Sequence, residues 1–275
     1  MMLPLPYPFE REYMQLALLA GLAVGASAPA IGTYLVQQRL SLLGDGIGHM
    51  AFAGVAAGLL FDVWPVPVAL VAAVAGAVLV ERLRARGQAS GDVALALVFY
   101  SGIAAGVVLV GLSDDFDARL LSYLFGSILT VSPSDAWTVA GLGVGILAVI
   151  VVFWRVLFAV VVDEESARVA GLPVDLLNLG LVALAAVTVV AAMRVVGVLL
   201  VAALMVLPVA AAQLVAGSFR ATARIAVGIG LAAVVVGLAV ARHAGLPPGG
   251  TIVLVASGVY AVTALTGWDR RRPER

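Results

Sequence analysis

The stretch SLLGDGIGHMAFAGVAAGLLF, residues 41–61, decides how the rest of the chain is read. Its second half is apolar enough to lie in a bilayer, while its first half sets Asp45 and His49 among glycines at 44, 46 and 48. A charged group at the centre of a membrane helix costs about 2.5–3.5 kcal/mol, so such groups face protein, a cavity or one another rather than lipid. Outward from this segment, the chain of 275 residues is 63% hydrophobic and 12% charged, with a mean hydropathy of +1.13. Soluble domains carry about 25% charged residues, so the composition belongs to a polytopic membrane protein.

Only helices and closed barrels satisfy the backbone in hydrocarbon, and long apolar runs without alternation indicate helices. Runs bounded by charges or by Gly/Pro turns predict spans at residues 13–36, 45–61, 64–80, 93–112, 136–160, 176–195, 197–215, 225–241 and 251–266. The run 120–130 is too short to cross and reads as a re-entrant or interfacial helix. The expectation is an all-α, polytopic fold of eight or nine transmembrane helices, forming a single domain over residues 1–275.

Sixteen basic and sixteen acidic residues cancel, which gives no field to attract nucleic acid. Every basic residue is arginine, and cysteine is absent, which removes disulfides and thiolate metal sites. Arginines 39, 82, 84, 86, 155, 168, 220, 224 and 270–272 fall on one side if the N-terminus is outside and the C-terminus inside, with Arg119, Arg194 and Arg242 as exceptions. Basic loops stay cytoplasmic, so the expected site is the cell membrane, crossed many times, with a cytoplasmic C-terminus. The pairs Gly21/Gly25, Gly54/Gly58 and Gly102/Gly106 have the small-x-x-x-small spacing that lets helices pack closely.

Asp45 and His49 are four residues apart, which on a helix places both on one face, one turn apart. One oxygen and one nitrogen donor at that spacing can hold a divalent cation. An internal ion pair and a proton relay explain the same two residues. Three glycines in five residues, each costing a helix about 1 kcal/mol relative to alanine, predict a kinked or broken segment lining a cavity. No feature of the sequence fixes the depth of Asp45.

The block GDGIGHMAFAGVA, residues 44–56, resembles the signature of the permease subunits of bacterial metal-ion ABC importers, the zinc, manganese and iron family. That signature runs Gly-Asp-Ala-x-x-His, then Gly-x-Ala; here Gly46 and Gly48 depart from its commoner alanine and serine. The segments GTYLVQQRLSL, LLSYLFGSILTVSPSD, VGVLLVAALMVLPVAAA and PPGGTIVL are similar to the family in the same order along the chain. The resemblance implies a homodimeric permease, two cytoplasmic ATP-binding subunits and an extracytoplasmic metal-binding protein. It implies that Asp45 and His49 are transit ligands for a divalent ion, with zinc favoured over manganese and iron(II), and that no cofactor is held. It also implies a coupling helix for the ATPase within residues 161–178, where Asp163, Glu164 and Glu165 favour a helix start and Gly171, Leu172 and Pro173 a stop. Ala167, Val169, Ala170 and Leu172 are read as an apolar patch on that helix.

Asp92 resembles an aspartate common in the family and is a candidate pathway residue, with helix capping as the competing role. The acidic run Asp114, Asp115 and Asp117 reads as a solvated outer loop that could meet a delivery protein. Lysine is absent, and with it any Gly-Lys-Ser/Thr phosphate loop, so this chain is not an enzyme and ATP hydrolysis would belong to a partner. The rival is a secondary transporter driven by an ion gradient. It predicts charges spread through several spans, whereas here they concentrate at Asp45 and His49.

Overall fold

The structure, a computed structural model, describes residues 6–87, 90–112, 118–127 and 131–270. Regular structure among them consists of helices, with no strand. In chain order these are α1 (Glu12–Gln37), α2 (Leu43–Leu60), α3 (Pro65–Ala85), α4 (Gly91–Gly111), α5 (Ala118–Phe125) and α6 (Pro133–Val152). There follow α7 (Trp154–Val162), α8 (Glu164–Val169), α9 (Val174–Ala192), α10 (Val198–Val215), α11 (Phe219–Ala244) and α12 (Pro248–Arg270).

Among the described residues, eight helices are long and apolar enough to cross a membrane: α1, α2, α3, α4, α6, α9, α11 and α12. The remaining expected span, 197–215, is α10. It lies inside the bundle against α1, α2, α9, α11 and α12. The expected span 136–160 is corrected: the helix stops at Phe153 and restarts as α7. The break turns Trp154 into an aromatic cluster, edge-on to Tyr34 at 5.9 Å and 5.4 Å from Phe219, with Phe158 closing on Phe219 at 5.1 Å. The short helix expected within 120–130 is α5, while residues 128–130 fall outside the described residues.

The two ends of the bundle differ in charge. At one end lie the C-terminal ends of α1 and α3, α8, and the start of α11, carrying Arg39, Arg82, Arg84, Arg86, Arg168, Arg220 and Arg224. At the opposite end, two of the exceptional arginines are engaged. Arg194 pairs with Asp135 at 2.8 Å and stands over the Tyr123 ring at 5.7 Å, and Arg242 stands 5.7 Å from the Tyr13 ring centre. The acidic loop 113–117 lies outside the described residues.

Helix α2 is clasped by α3, α4 and α10. The kinked or broken segment expected at residues 44–48 is corrected, because α2 is one unbroken helix. Its glycines serve close approach instead. A Cβ on Gly44 would stand 3.3 Å from Ala202 Cβ, and one on Gly48 3.0 Å from the Val198 carbonyl oxygen, both on α10. On the far half, a Cβ on Gly54 would come within 2.6 Å of Ala69 Cα, and one on Gly58 within 2.6 Å of Pro65 Cα, both on α3. The other two small-residue pairs also mark contacts, Gly21/Gly25 against Val234 of α11 and Gly102/Gly106 against His49 and Phe52 of α2. Gly46 differs, having nothing nearer than 3.9 Å from a Cβ.

Gly54→Ala should therefore destabilise the purified chain by about 1–3 kcal/mol, as overpacking against backbone does. Gly46→Ala should be neutral or stabilising by up to about 1 kcal/mol, since a helix gains from losing a glycine. Thermal unfolding in detergent, followed by tryptophan fluorescence, checks both, and equal loss in the two variants would contradict the packing described.

Candidate functional site

Because α2 is regular through residues 45–49, Asp45 and His49 share one face, one turn apart, and both are half-buried. Asp45 lies in the first turn of α2, which sets the depth that the sequence left open: near the arginine-rich end. Helix α4 runs beside them. A Cβ on Gly102 would stand 2.8 Å from the His49 carbonyl carbon, so the absence of a side chain there lets α4 lie on the backbone that carries the imidazole. One turn earlier, the Phe99 ring meets the imidazole edge-on, with centroids 4.6 Å apart and planes at 77°. Tyr100 meets Phe99 in turn at 5.3 Å.

Asp45 opens into a cavity of about 310 Å³ lined also by Leu42, Asp92, Leu95, Ala96, Phe99 and Tyr100. Asp92 is thus brought to the same space as Asp45. The helix cap expected of Asp92 belongs instead to Ser90, whose hydroxyl accepts from the Val93 amide at 3.4 Å. His49 does not line this cavity. Phe99 touches both, lying against the ring on one side and the cavity on the other. His49 Nδ1 is buried without a hydrogen-bond partner, as are the Tyr34 hydroxyl, Gln38 Oε1, Asn178 Nδ2 and Arg242 Nε; His49 lies one turn from Asp45, which opens into the cavity. The donor set suits a borderline or hard divalent ion: one carboxylate and one imidazole, with a second carboxylate along the cavity. Among the described residues no three His, Asp or Glu side chains come together as a closed cage.

The second expected site, residues 161–178, folds as its sequence signals indicate. Asp163 caps α8, accepting from the Ser166 amide at 2.9 Å and from the Ser166 hydroxyl at 2.6 Å. These hydrogen bonds, the hydroxyl's first, hold its carboxyl below the usual aspartate range, so it is ionised at neutral pH. Glycine at 171, with φ +81°, ends the turn. The apolar patch is corrected in part: Ala167 is buried against Val160 and Val174, with Leu172 and Leu177 packed around them. Outward exposure falls to Val169, 89% accessible, and to Ala170 and Gly171. An alanine on a six-residue helix carries no periodic signal of which way it faces, which is why the sequence left this open.

The sequence reading also missed a charge cluster beside α8. It ended the third span at Val80, but α3 continues to Ala85 and buries Glu81 to 3% exposure. Arg84 donates to Glu81 twice, at 3.0 and 2.9 Å, and its third nitrogen lies 3.6 Å from Glu164 at the start of α8. Glu164 is 3.4 Å from Arg168, which in turn donates to Asp175 of α9 at 2.8 Å. The sequence signals for this cluster are the i, i+3 spacing of Glu81 and Arg84 and the i, i+4 spacing of Glu164 and Arg168.

With this geometry in hand, comparison with known proteins is informative. The sequence profile of the ABC 3 transport family matches residues 10–267. The chain is 29% identical to the manganese import system permease protein ScaB of Streptococcus parasanguinis, over 95% of this chain and 93% of that one. It is 27% identical to the high-affinity zinc uptake system membrane protein ZnuB of Haemophilus influenzae, over 90% and 95%. Among solved structures, PsaBC from Streptococcus pneumoniae in complex with Fab aligns with a TM-score of 0.82 at 29% identity, covering 92% of this chain and 91% of that one.

The contact between Phe99 and His49 can be read directly, because the chain has two histidines. Phe99→Leu should move the His49 ring proton resonances through loss of the aromatic ring current, and leave those of His243 in place. Selectively labelled histidine in detergent provides the measurement, and unmoved His49 signals would remove Phe99 from the site.

Proposed function

The chain belongs to the ABC 3 transport family, and from that premise we propose that it is the membrane-spanning subunit of an ATP-driven importer for a divalent transition-metal ion. The observation that carries this reading is the pairing of Asp45 and half-buried His49 on one face of an unbroken membrane helix, with an unpartnered imidazole nitrogen and an adjoining cavity. The ion is cargo. Asp45 supplies oxygen and His49 nitrogen, and two donors per chain bind weakly enough to release, as a pathway requires. Asp92 offers a further carboxylate along the cavity on the way in or out. Manganese and zinc, the ions named for the two relatives, both suit one nitrogen and one or two oxygens.

The chain pairs with a second copy around the route, and two ATP-binding subunits supply the work from the arginine-rich face. An extracytoplasmic metal-binding protein delivers the ion at the opposite face. In the mechanism proposed, closure of the ATP-binding subunits presses on α8 through Asp163, Glu164, Glu165 and the exposed Val169–Gly171 edge. The membrane helices respond by closing the outer side and opening the inner side of the path. The arginine-rich end is cytoplasmic, and the C-terminus with it. The Ala167 seat transmits the push into α7 and α9 rather than touching the partner.

Three outcomes test this. In vesicles containing the assembled complex, Asp45→Ala with His49→Ala should abolish ATP-dependent uptake of manganese or zinc, while each single change should lower it by about tenfold or more, the typical cost of weakening metal ligation. Retained uptake in the double variant would sink the ligand assignment. The chain alone in liposomes should transport neither ion, and gradient-driven uptake without the ATPase would favour a secondary transporter. Because cysteine is absent, single cysteines replacing Arg86 and Leu246 report orientation, and only the second should react with an impermeant maleimide added to intact cells.

A further inference from the structure

Helix α8 is attached to the bundle in two different ways. Its apolar side is seated by Ala167 among Val160, Val174, Leu172 and Leu177, which ties it to α7 and α9. Its first residue is tied electrostatically to another part of the molecule: Glu164 faces Arg84 at 3.6 Å, on the last turn of α3.

Arg84 is not a freely moving surface arginine. Its side chain is 24% exposed, and two of its nitrogens are held by both oxygens of Glu81, whose side chain is 4% exposed. A buried carboxylate is costly to keep and plays no part in the metal site, so its local consequence is what needs explaining. The two-pronged contact fixes the plane of the guanidinium, and the nitrogen left over points to Glu164.

What α3 does with that attachment follows from its packing. α2 and α3 form an antiparallel hairpin joined at the far end by residues 61–64, and along it their backbones touch at Gly54 with Ala69 and at Gly58 with Pro65. Midway along it, the side chain of Met50, the residue after His49, lies against Gly76, where a Cβ would be 2.7 Å from its Cγ. Motion of the α3 end therefore moves the segment that holds His49. We propose that Arg84, oriented by Glu81, is the positioning residue that delivers movement of α8 to the α2–α3 hairpin and so to Asp45 and His49. This inference rests on the reading of α8 as the element that receives the ATPase.

The test uses the assembled complex in liposomes, with ATP hydrolysis and manganese or zinc uptake measured together. Glu164→Gln is nearly isosteric, keeps the Asp163 cap, the Ala167 seat and the Arg84–Glu81 contact, and removes the charge that Arg84 meets. It should lower metal moved per ATP hydrolysed by about fivefold or more, the lower bound of ordinary coupling between sites. Arg84→Lys keeps a charge for Glu81 but cannot hold both acids, and should lower the same ratio. Arg82→Gln removes an exposed charge from the same end of α3 and should leave the ratio unchanged. An unchanged ratio in Glu164→Gln, or hydrolysis and uptake falling together in proportion, overturns the proposal while leaving the importer reading intact. Absence of ATP-dependent uptake by the parent complex overturns both.

Discussion

The rest of this structure depends on how closely backbones approach along α2. Lipid provides no hydrophobic drive between membrane helices, so association rests on packing and on the few polar contacts that packing encloses. At Gly44, Gly48, Gly54 and Gly58 the missing side chains leave room for α10 on one half of the helix and α3 on the other. Gly102 extends the same device to α4, directly over His49. A helix held on three sides in this way has little freedom to rotate, and rotation is what would carry Asp45 and His49 off their shared face. The glycines that intrinsic propensity counts against α2 are thus what fixes it.

Against that apolar, closely packed background, each buried polar group can be asked how it is satisfied. Glu81 is answered in full by Arg84. Gln38 and Asn178, which tie the end of α1 to the start of α9, answer each other through one hydrogen bond of 2.9 Å. His49 has an aromatic neighbour but no partner for Nδ1. Gln38 Oε1, Asn178 Nδ2, the Tyr34 hydroxyl and Arg242 Nε are also buried without partners, so an unsatisfied atom alone does not set His49 apart. What distinguishes the site is the conjunction of the imidazole with Asp45 one helical turn away and the cavity that Asp45 and Asp92 line.

Much of this was legible in the sequence. Eight of the expected spans were visible as apolar runs, and the start and stop of α8 followed from Asp163 and from Gly171 with Pro173. The Asp45/His49 pair was visible because helical spacing converts four residues into one face. What was not legible depends on tertiary partners. Whether a glycine breaks a helix or admits a neighbour is decided by the neighbour, so residues 44–48 were misread as a break. Phe153 interrupts α6 because Tyr34 and Phe219, distant in sequence, receive Trp154. Phe99 and Glu81 were missed for the same reason: an aromatic and an acid on apolar helices have no meaning until His49 and Arg84 are beside them.

One topological fact connects the candidate site to the candidate coupling element. The α2–α3 hairpin is closed at the end opposite to the arginines, by residues 61–64, and open at the arginine-rich end. Asp45 sits on the first turn of one limb and Arg84 on the last turn of the other, so both occupy the open end, and α8 lies there too. A displacement applied at the closed end of a hairpin would have to pass along its whole length before reaching Asp45. Applied at Arg84, it acts on the limb that touches the site within the same few turns. Rigid helices transmit motion along their axes with little loss, but they pass it sideways only where backbones are in contact. In this hairpin backbone contact is supplied at Gly54 and Gly58, and the Met50 side chain on Gly76 adds a further contact next to His49. The residues that make α2 well packed therefore also make it responsive, because a limb that cannot rotate or separate from its partner can only move with it.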